Sequence, residues 1–287
     1  MRRSVISFPG LGIEPFEIDS VAFRIFGRSI AWYALIIVTG IILAILYVMW
    51  RGKQKGIPYD GILDIALLTV PCGVVGARLY YVLTSLEHYD SFWDVFKIWE
   101  GGLAIYGGII GGAIAVIVMA KNKKLPFFSL ADMISPAVMI GQILGRWGNF
   151  FNVEAYGYET SLPWRMGIYR YGEWSYVHPT FLYESLWNLL GFALINLFYG
   201  LKKDKSHKQY EGQIFLMVFA WYGLGRMLIE GLRTDSLYVG PFRISQVVGF
   251  LCFLCGTGLL VYHYFTKTDM YFKKIMVSKT DFESEED

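Results

Sequence analysis

The run Gly145-Arg146-Trp147-Gly148-Asn149-Phe150-Phe151-Asn152-Val153-Glu154 closes a long apolar stretch. It puts a guanidinium, two amides and a carboxylate where lipid-facing residues would otherwise continue, and an ionisable side chain at membrane depth marks a functional site by default. Gln142, Arg146 and Asn149 share one helical face by their spacing, as do Tyr222, Arg226, Glu230 and Arg233 on a later segment. Glu184 and Asn188 form a third, weaker stripe just after His178-Pro179, where proline suits a first helical turn.

An unpaired arginine at the bilayer centre costs at least about 2.5–3.5 kcal/mol, so these residues require partners or an anionic ligand. Arg226 and Glu230 can neutralise each other as a packing strut, whereas Arg146 and Arg233 have no obvious local partner. The guanidinium fork matches phosphate oxygens bidentately and stays charged at physiological pH, and a phospholipid headgroup is the nearest phosphate. The residues by themselves predict an outward-facing anion site in a polytopic membrane protein. The competing class is a transporter or channel for an anionic solute or lipid, in which the same arginines line a passage.

The elements that position these residues are membrane segments. The 287-residue chain is 55% hydrophobic and only 17% charged, against about 25% charged for an ordinary soluble domain. Seven stretches approach the length that crosses a hydrocarbon core, at about 29–50, 61–86, 102–120, 128–147, 180–200, 212–232 and 243–265, the fourth interrupted by Asp132 and Pro136. Arg51, Lys53 and Lys55 follow the first, Lys121, Lys123 and Lys124 the third, Lys202, Lys203, Lys205 and Lys208 the fifth, and Lys267, Lys273 and Lys274 the seventh. The positive-inside rule makes those four ends cytoplasmic. The loops carrying Glu87, Asp90, Asp94 and Glu100, and the aromatic one from Phe151 to Val177, then face outward. The first apolar segment lacks the features of a cleaved signal and is expected to be retained.

The predicted fold is therefore an all-α polytopic membrane protein of seven transmembrane helices with a small extracytoplasmic head, N-terminus out and C-terminus in. It divides into an extracytoplasmic N-terminal arm (1–28), a seven-helix membrane domain (29–266, with the head at about 151–179) and a cytoplasmic tail (267–287). The acidic end at 281–287 reads as a solvated charge run. Between Tyr156 and Tyr176, Trp164, Arg165, Tyr169, Tyr171 and Trp174 have the content of a membrane-interface belt, which also suits a head that receives a protein substrate.

The glycine-rich run Gly101 to Gly112 lacks the Lys-Ser or Lys-Thr of a phosphate loop. Close helix packing explains it better, with room left for a ligand beside Tyr106. Cys252 and Cys255 have Cys-x-x-Cys spacing, but no second pair completes a zinc site. The small net charge of +2 says little about partners, and none of these readings invokes a nucleic acid.

At this point the Gly145–Glu154 run resembles the signature of the prolipoprotein diacylglyceryl transferases. Further runs agree in order: Ala31-Trp32-Tyr33, Gly76-Ala77-Arg78-Leu79, Gly101 through Gly108, His178 through Glu184, and Tyr222 through Arg226 with Glu230 through Asp235. The resemblance spans about residues 15 to 265. It implies transfer of the diacylglyceryl group of phosphatidylglycerol to the thiol of the lipobox cysteine of a preprolipoprotein. A thioether forms, glycerol phosphate is released, and no metal or cofactor takes part. The setting it implies is the bacterial cytoplasmic membrane, with the lipid bilayer as partner and the active site on the extracytoplasmic side.

Carried over by position, Arg146 and Arg226 match the family's essential arginines, and Asn149, Glu154 and Gly157 its other signature positions. Tyr33 matches the tyrosine beside the lipid site, Glu230 and Arg233 a charged pair, and Arg78 falls in a matched run assigned to substrate binding. Tyr106 stands where many members carry histidine. Histidine titrates near neutral pH, whereas a phenol with a pKa near 10 is a poor base unless nearby charge lowers it. Tyr106 is thus an activated base, a hydrogen-bonding group, a bystander to a proton that leaves by another route, or an aromatic filler. His178 is the remaining candidate base, although its place before Pro179 favours an interfacial structural role.

Overall fold

The computed structural model describes residues 3–86, 89, 91–98, 101–201 and 210–266. Seven long helices occur among them: α1 (Trp32–Gln54), α2 (Tyr59–Thr84), α3 (Ile105–Asn122), α4 (Phe127–Asn152), α5 (Thr180–Leu201), α6 (Gln213–Glu230) and α7 (Ile244–Thr266). Each falls on a segment expected from hydropathy. Six are long and apolar enough to cross a membrane; α6 is not among the six, and its polar residues Gln213, Arg226 and Glu230 are the reason. Pro136 and Asp132 do not break α4. Glu87, Asp90, Glu100, the lysines at 202–208 and 267–274, and the acidic tail lie outside the described residues.

The all-α expectation is corrected outside the helices. Strands β1 (Arg3–Phe8), β2 (Ile13–Asp19), β5 (Met166–Arg170) and β6 (Glu173–Val177) form a four-stranded antiparallel sheet in the order β2-β1-β5-β6. Two short hairpins, β3 (Val21–Ile25) with β4 (Arg28–Ala31) and β7 (Tyr238–Val239) with β8 (Phe242–Arg243), precede α1 and α7. The β5–β6 turn has positive φ at both Tyr171 and Gly172, as a type I′ turn requires. A tyrosine at its first central position hides the hairpin from sequence inspection. The β1–β5 register pairs Ile6 with Ile168, and no local pattern foretells a partner so distant in the chain.

The described residues divide into two compact units, those within 3–46 and 132–266 and those within 47–131. In the first, Ile6, Phe8, Ile18, Met166, Ile168 and Val177 of the sheet pack with Val153, just beyond α4, and Phe181, in the first turn of α5. Burying each such side chain contributes roughly 1.5–3 kcal/mol, which fastens the sheet to the helix ends that carry the polar stripes. In the second, α2 and α3 approach through glycines. A Cβ on Gly107 would lie 2.2 Å from the Gly76 carbonyl oxygen, and one on Gly76 2.4 Å from that of Gly107. The glycine run is a packing seam.

Candidate functional site

The end of α4 folds its own polar residues into a chain. Arg146 Nη1 donates to Asn149 Oδ1 at 3.0 Å, and Asn149 Nδ2 donates to Glu154 Oε1 at 3.0 Å. Asn152 Nδ2 donates to the same Glu154 oxygen at 3.0 Å. Glu154 reaches back because Val153 and Ala155 adopt left-handed φ angles of 50° and 55°. That conformation costs a β-branched residue about 1–2 kcal/mol, and burial of Val153 to 3% exposure in the sheet core offsets it.

The arginines meet on Glu184, one turn into α5. Glu184 Oε2 lies 2.6 Å from Arg146 Nη2 and 3.6 Å from Arg226 Nη1, while Oε1 lies 2.5 Å from Arg233 Nη1. Arg226 Nη2 also pairs with Glu230 Oε2 at 2.8 Å. Asp235 grips Arg233 bidentately, at 2.9 Å from Nε and 2.7 Å from Nη2. Arg146 thus finds in Glu184 a carboxylate that its own segment does not supply, whereas Arg233, expected to have no obvious local partner, pairs with Asp235 two residues on as well as with Glu184. Glu184 was visible in the sequence only as part of a weak stripe. The signal that finds it is charge balance, since three arginines in apolar segments call for more carboxylate than Glu230 and Asp235 provide. Glu230, Arg233 and Glu184 are buried, and so is Asn188.

The helices hold this register through polar contacts. Ser185 Oγ donates to the Ile143 carbonyl at 3.1 Å, tying α5 to α4. Trp187 and Trp221 stack at 4.5 Å, and each indole N–H donates to the other's carbonyl, at 3.1 and 3.0 Å, tying α5 to α6. Beyond α6, Arg233 takes a positive shift: burial lowers its pKa, but hydrogen bonds and charge from Asp235 and Glu184 outweigh that and hold it above the usual arginine value. On Asp235, burial pushes the carboxyl up and Arg233 more than reverses it, leaving the carboxyl below its usual range.

Tyr33 lies on the same unit, its ring packed so tightly over Gly148 that a Cβ there would be 2.4 Å from Cδ2. Trp32 stacks on Phe151 at 5.1 Å beside it. Gly157 acts through its backbone: its N–H donates to the His178 carbonyl at 2.9 Å, and a Cβ would fall 2.5 Å from the Leu232 carbonyl oxygen. It thereby bridges the segment after α4 to Arg233. His178 Nδ1 is 3.2 Å from the Tyr183 hydroxyl, which accepts from Trp164 Nε1 at 2.7 Å, and burial lowers its basicity.

Arg78 and Tyr106 belong to the second unit. Arg78 is buried and donates to the carbonyls of Val95, Gly101, Gly102 and Asp94 at 2.8, 2.7, 3.1 and 2.8 Å. It holds together the segment that leads into α3. Tyr106, the second residue of α3, is 39% exposed, with its ring 6.3 Å from that of Tyr80.

Chemically, the first unit brings two guanidiniums to a single carboxylate oxygen, and guanidiniums so placed can also take a phosphate oxygen. The family model described as prolipoprotein diacylglyceryl transferase matches residues 20–262. The chain belongs to that family. A Streptococcus pneumoniae relative named phosphatidylglycerol–prolipoprotein diacylglyceryl transferase is 47% identical over 252 residues, covering 86% of this chain and 94% of its own length. A Synechocystis relative of the same name is 41% identical over 259 residues, covering 87% and 91%. The transferase match runs from just before β3 almost to the end of α7, so it takes in every long helix described.

Proposed function

We propose that this chain is a phosphatidylglycerol–prolipoprotein diacylglyceryl transferase in which Arg146 and Arg226 hold the lipid phosphate. The observation that carries the assignment is their convergence on one carboxylate oxygen, at 2.6 and 3.6 Å. The lipobox thiol sulfur attacks the glycerol methylene of the diacylglyceryl group, forming the carbon–sulfur bond. The carbon–oxygen bond to phosphate breaks, its electron pair stays on the departing glycerol phosphate, and the thiol proton is lost. Negative charge grows on the phosphate, where preorganised guanidiniums in a water-poor site stabilise it most. Asn149 and Glu154 orient Arg146, Tyr33 borders the lipid, and Tyr106 acts on the substrate either as acceptor of the thiol proton or as a hydrogen-bonding group. Glu230 and Arg233 keep the array charged and fixed. Arg78 acts on the α2–α3 connection and Gly157 on the approach to Arg233.

The multi-pass chain resides in the bacterial cytoplasmic membrane with seven spans, N-terminus out, C-terminus in, and the site facing out. Pairing of β1 with β5 supports this, because it joins the arm before α1 to the segment between α4 and α5. Four spans between those points return the chain to one side. The Gly157–Arg233 bridge likewise joins the end of α6 to the segment between α4 and α5, which favours α6 as a return span with Arg226 and Glu230 neutralised in pair. Arg51, Lys53 and Lys121 at the last turns of α1 and α3 fit the opposite, cytoplasmic face.

The test is mass spectrometry of a lipobox peptide incubated with purified protein in phosphatidylglycerol liposomes. A diacylglyceryl mass gain on the cysteine is expected. Unaltered peptide and lipid, with an anion or lipid moved across the bilayer, would replace this reading by transport.

A further inference from the structure

Glu184 is asymmetrically held. Its Oε1 is anchored 2.5 Å from Arg233, which Asp235 fixes from the other side at 2.7 Å. Its Oε2 sits between Arg146 and Arg226, bonded to the first at 2.6 Å and only loosely to the second at 3.6 Å. A phosphate oxygen placed between Arg146 Nη2 and Arg226 Nη1 would take the position that Oε2 now fills. A carboxylate with one oxygen anchored can turn the other aside without leaving the array.

We propose that Glu184 is an exchangeable internal counter-anion: it occupies the phosphate position between turnovers, yields it to the lipid, and returns to drive glycerol phosphate out. The idea rests on the assignment of Arg146 and Arg226 to the phosphate. The lipid phosphodiester carries one negative charge, whereas a phosphate monoester carries about 1.5 to 2 near pH 7. Two arginines that stabilise the departing charge would by themselves retain the product more tightly than the substrate. Glu184 repels the more highly charged species more strongly and offers the arginines a replacement partner. It is a positioning residue, acting through Arg146 and Arg226, and needs no contact with the reacting carbon.

Glu184→Gln keeps the size and an oxygen acceptor for Arg233 but removes the charge. With phosphatidylglycerol and a lipobox peptide, the variant is expected to keep its first turnover within a few-fold of the parent and to lose steady-state kcat. KM for phosphatidylglycerol should fall, and inhibition by added glycerol phosphate should tighten by about tenfold. Inorganic phosphate, as a second probe, should tighten in parallel, showing that the phosphate dianion rather than the glycerol is repelled. Glu184→Asp, which keeps the charge on a shorter arm, should bind glycerol phosphate nearly as weakly as the parent. A Glu184→Gln protein that folds but has unchanged inhibition constants, or loses its first turnover together with its steady state, overturns the proposal. So does equal tightening in Glu184→Asp. Absence of transfer by the parent protein would instead overturn the function on which this rests.

Discussion

Arg146 on α4 and Glu184 on α5 are joined at 2.6 Å between Nη2 and Oε2. Neither segment could cross lipid comfortably with its own charge unpaired, so this contact is structural before it is chemical. Glu184→Ala leaves Arg146 and Arg233 facing an emptied partner position. It is expected to destabilise the protein by about 3–5 kcal/mol, the cost of breaking a buried pair from one side. Thermal unfolding in detergent measures it, and Glu184→Gln, which also removes the counter-charge but keeps an acceptor oxygen for Arg233, should fall between Glu184→Ala and the parent.

The reciprocal indole pair predicts a second stability effect. A Cβ on Gly191 would lie 2.2 Å from Trp221 Nε1. Gly191→Ala therefore forces the Trp187–Trp221 stack apart, at a cost of about 1–3 kcal/mol. Its melting temperature should fall, and transfer activity should fall with it as α5 and α6 lose register. An unchanged melting temperature would mean the stack shifts freely.

Asp132 links the start of α4 to the start of α6. Its carboxylate accepts from the backbone N–H groups of Gly212 and Phe215, both at 2.9 Å, and is buried to 3% exposure. In the sequence it interrupts an apolar segment, whereas in the structure it caps the start of α6. Asp132→Ala orphans both donors and is expected to cost about 1–3 kcal/mol, read by the same unfolding measurement. Asp132→Asn, which retains one acceptor oxygen, should lie between.

The helices and the arginine stripes were legible because periodicity and charge are local. The sheet was not. Ile6 and Ile168 pair across more than half the chain, and Tyr171 stands at a turn position where asparagine or glycine would have announced a hairpin. The aromatic run read as a membrane belt is largely β5 and β6, in which Tyr169 and Trp174 are cross-strand partners. Within the site, Arg226–Glu230 could be seen from spacing alone, but the meeting of three arginines on Glu184 depends on helix–helix packing. Arg78, which lies in one of the matched runs, donates to four backbone carbonyls, contacts that the sequence alone does not show.

Acidification should loosen the latch at the end of α6. The folded Asp235 carboxyl lies below its ordinary range, so its pairing with Arg233 contributes fully above the unfolded value near 3.9 and is lost as pH falls through the folded one. The stability difference between the parent and Asp235→Asn should be constant above about pH 5 and shrink below about pH 4. A difference that grew on acidification would contradict the pairing.

Tyr106 gives the proton a testable route. Tyr106→Phe should lower transfer by about 100-fold if its hydroxyl takes part in proton transfer. Tyr106→His, which installs the residue common in the family, should retain activity with a rate that rises through the histidine pKa near 6.5. Full activity in Tyr106→Phe would remove the hydroxyl from the proton path.

The most direct test of the phosphate assignment is single-turnover transfer to a lipobox peptide by folded Arg146→Ala and Arg226→Ala proteins, compared with the parent at saturating phosphatidylglycerol. Each substitution is expected to lower the rate by about 100-fold to 1,000-fold, as removal of a group that stabilises developing negative charge should. Either variant transferring at the parental rate would contradict the claim that these two guanidiniums hold the departing phosphate.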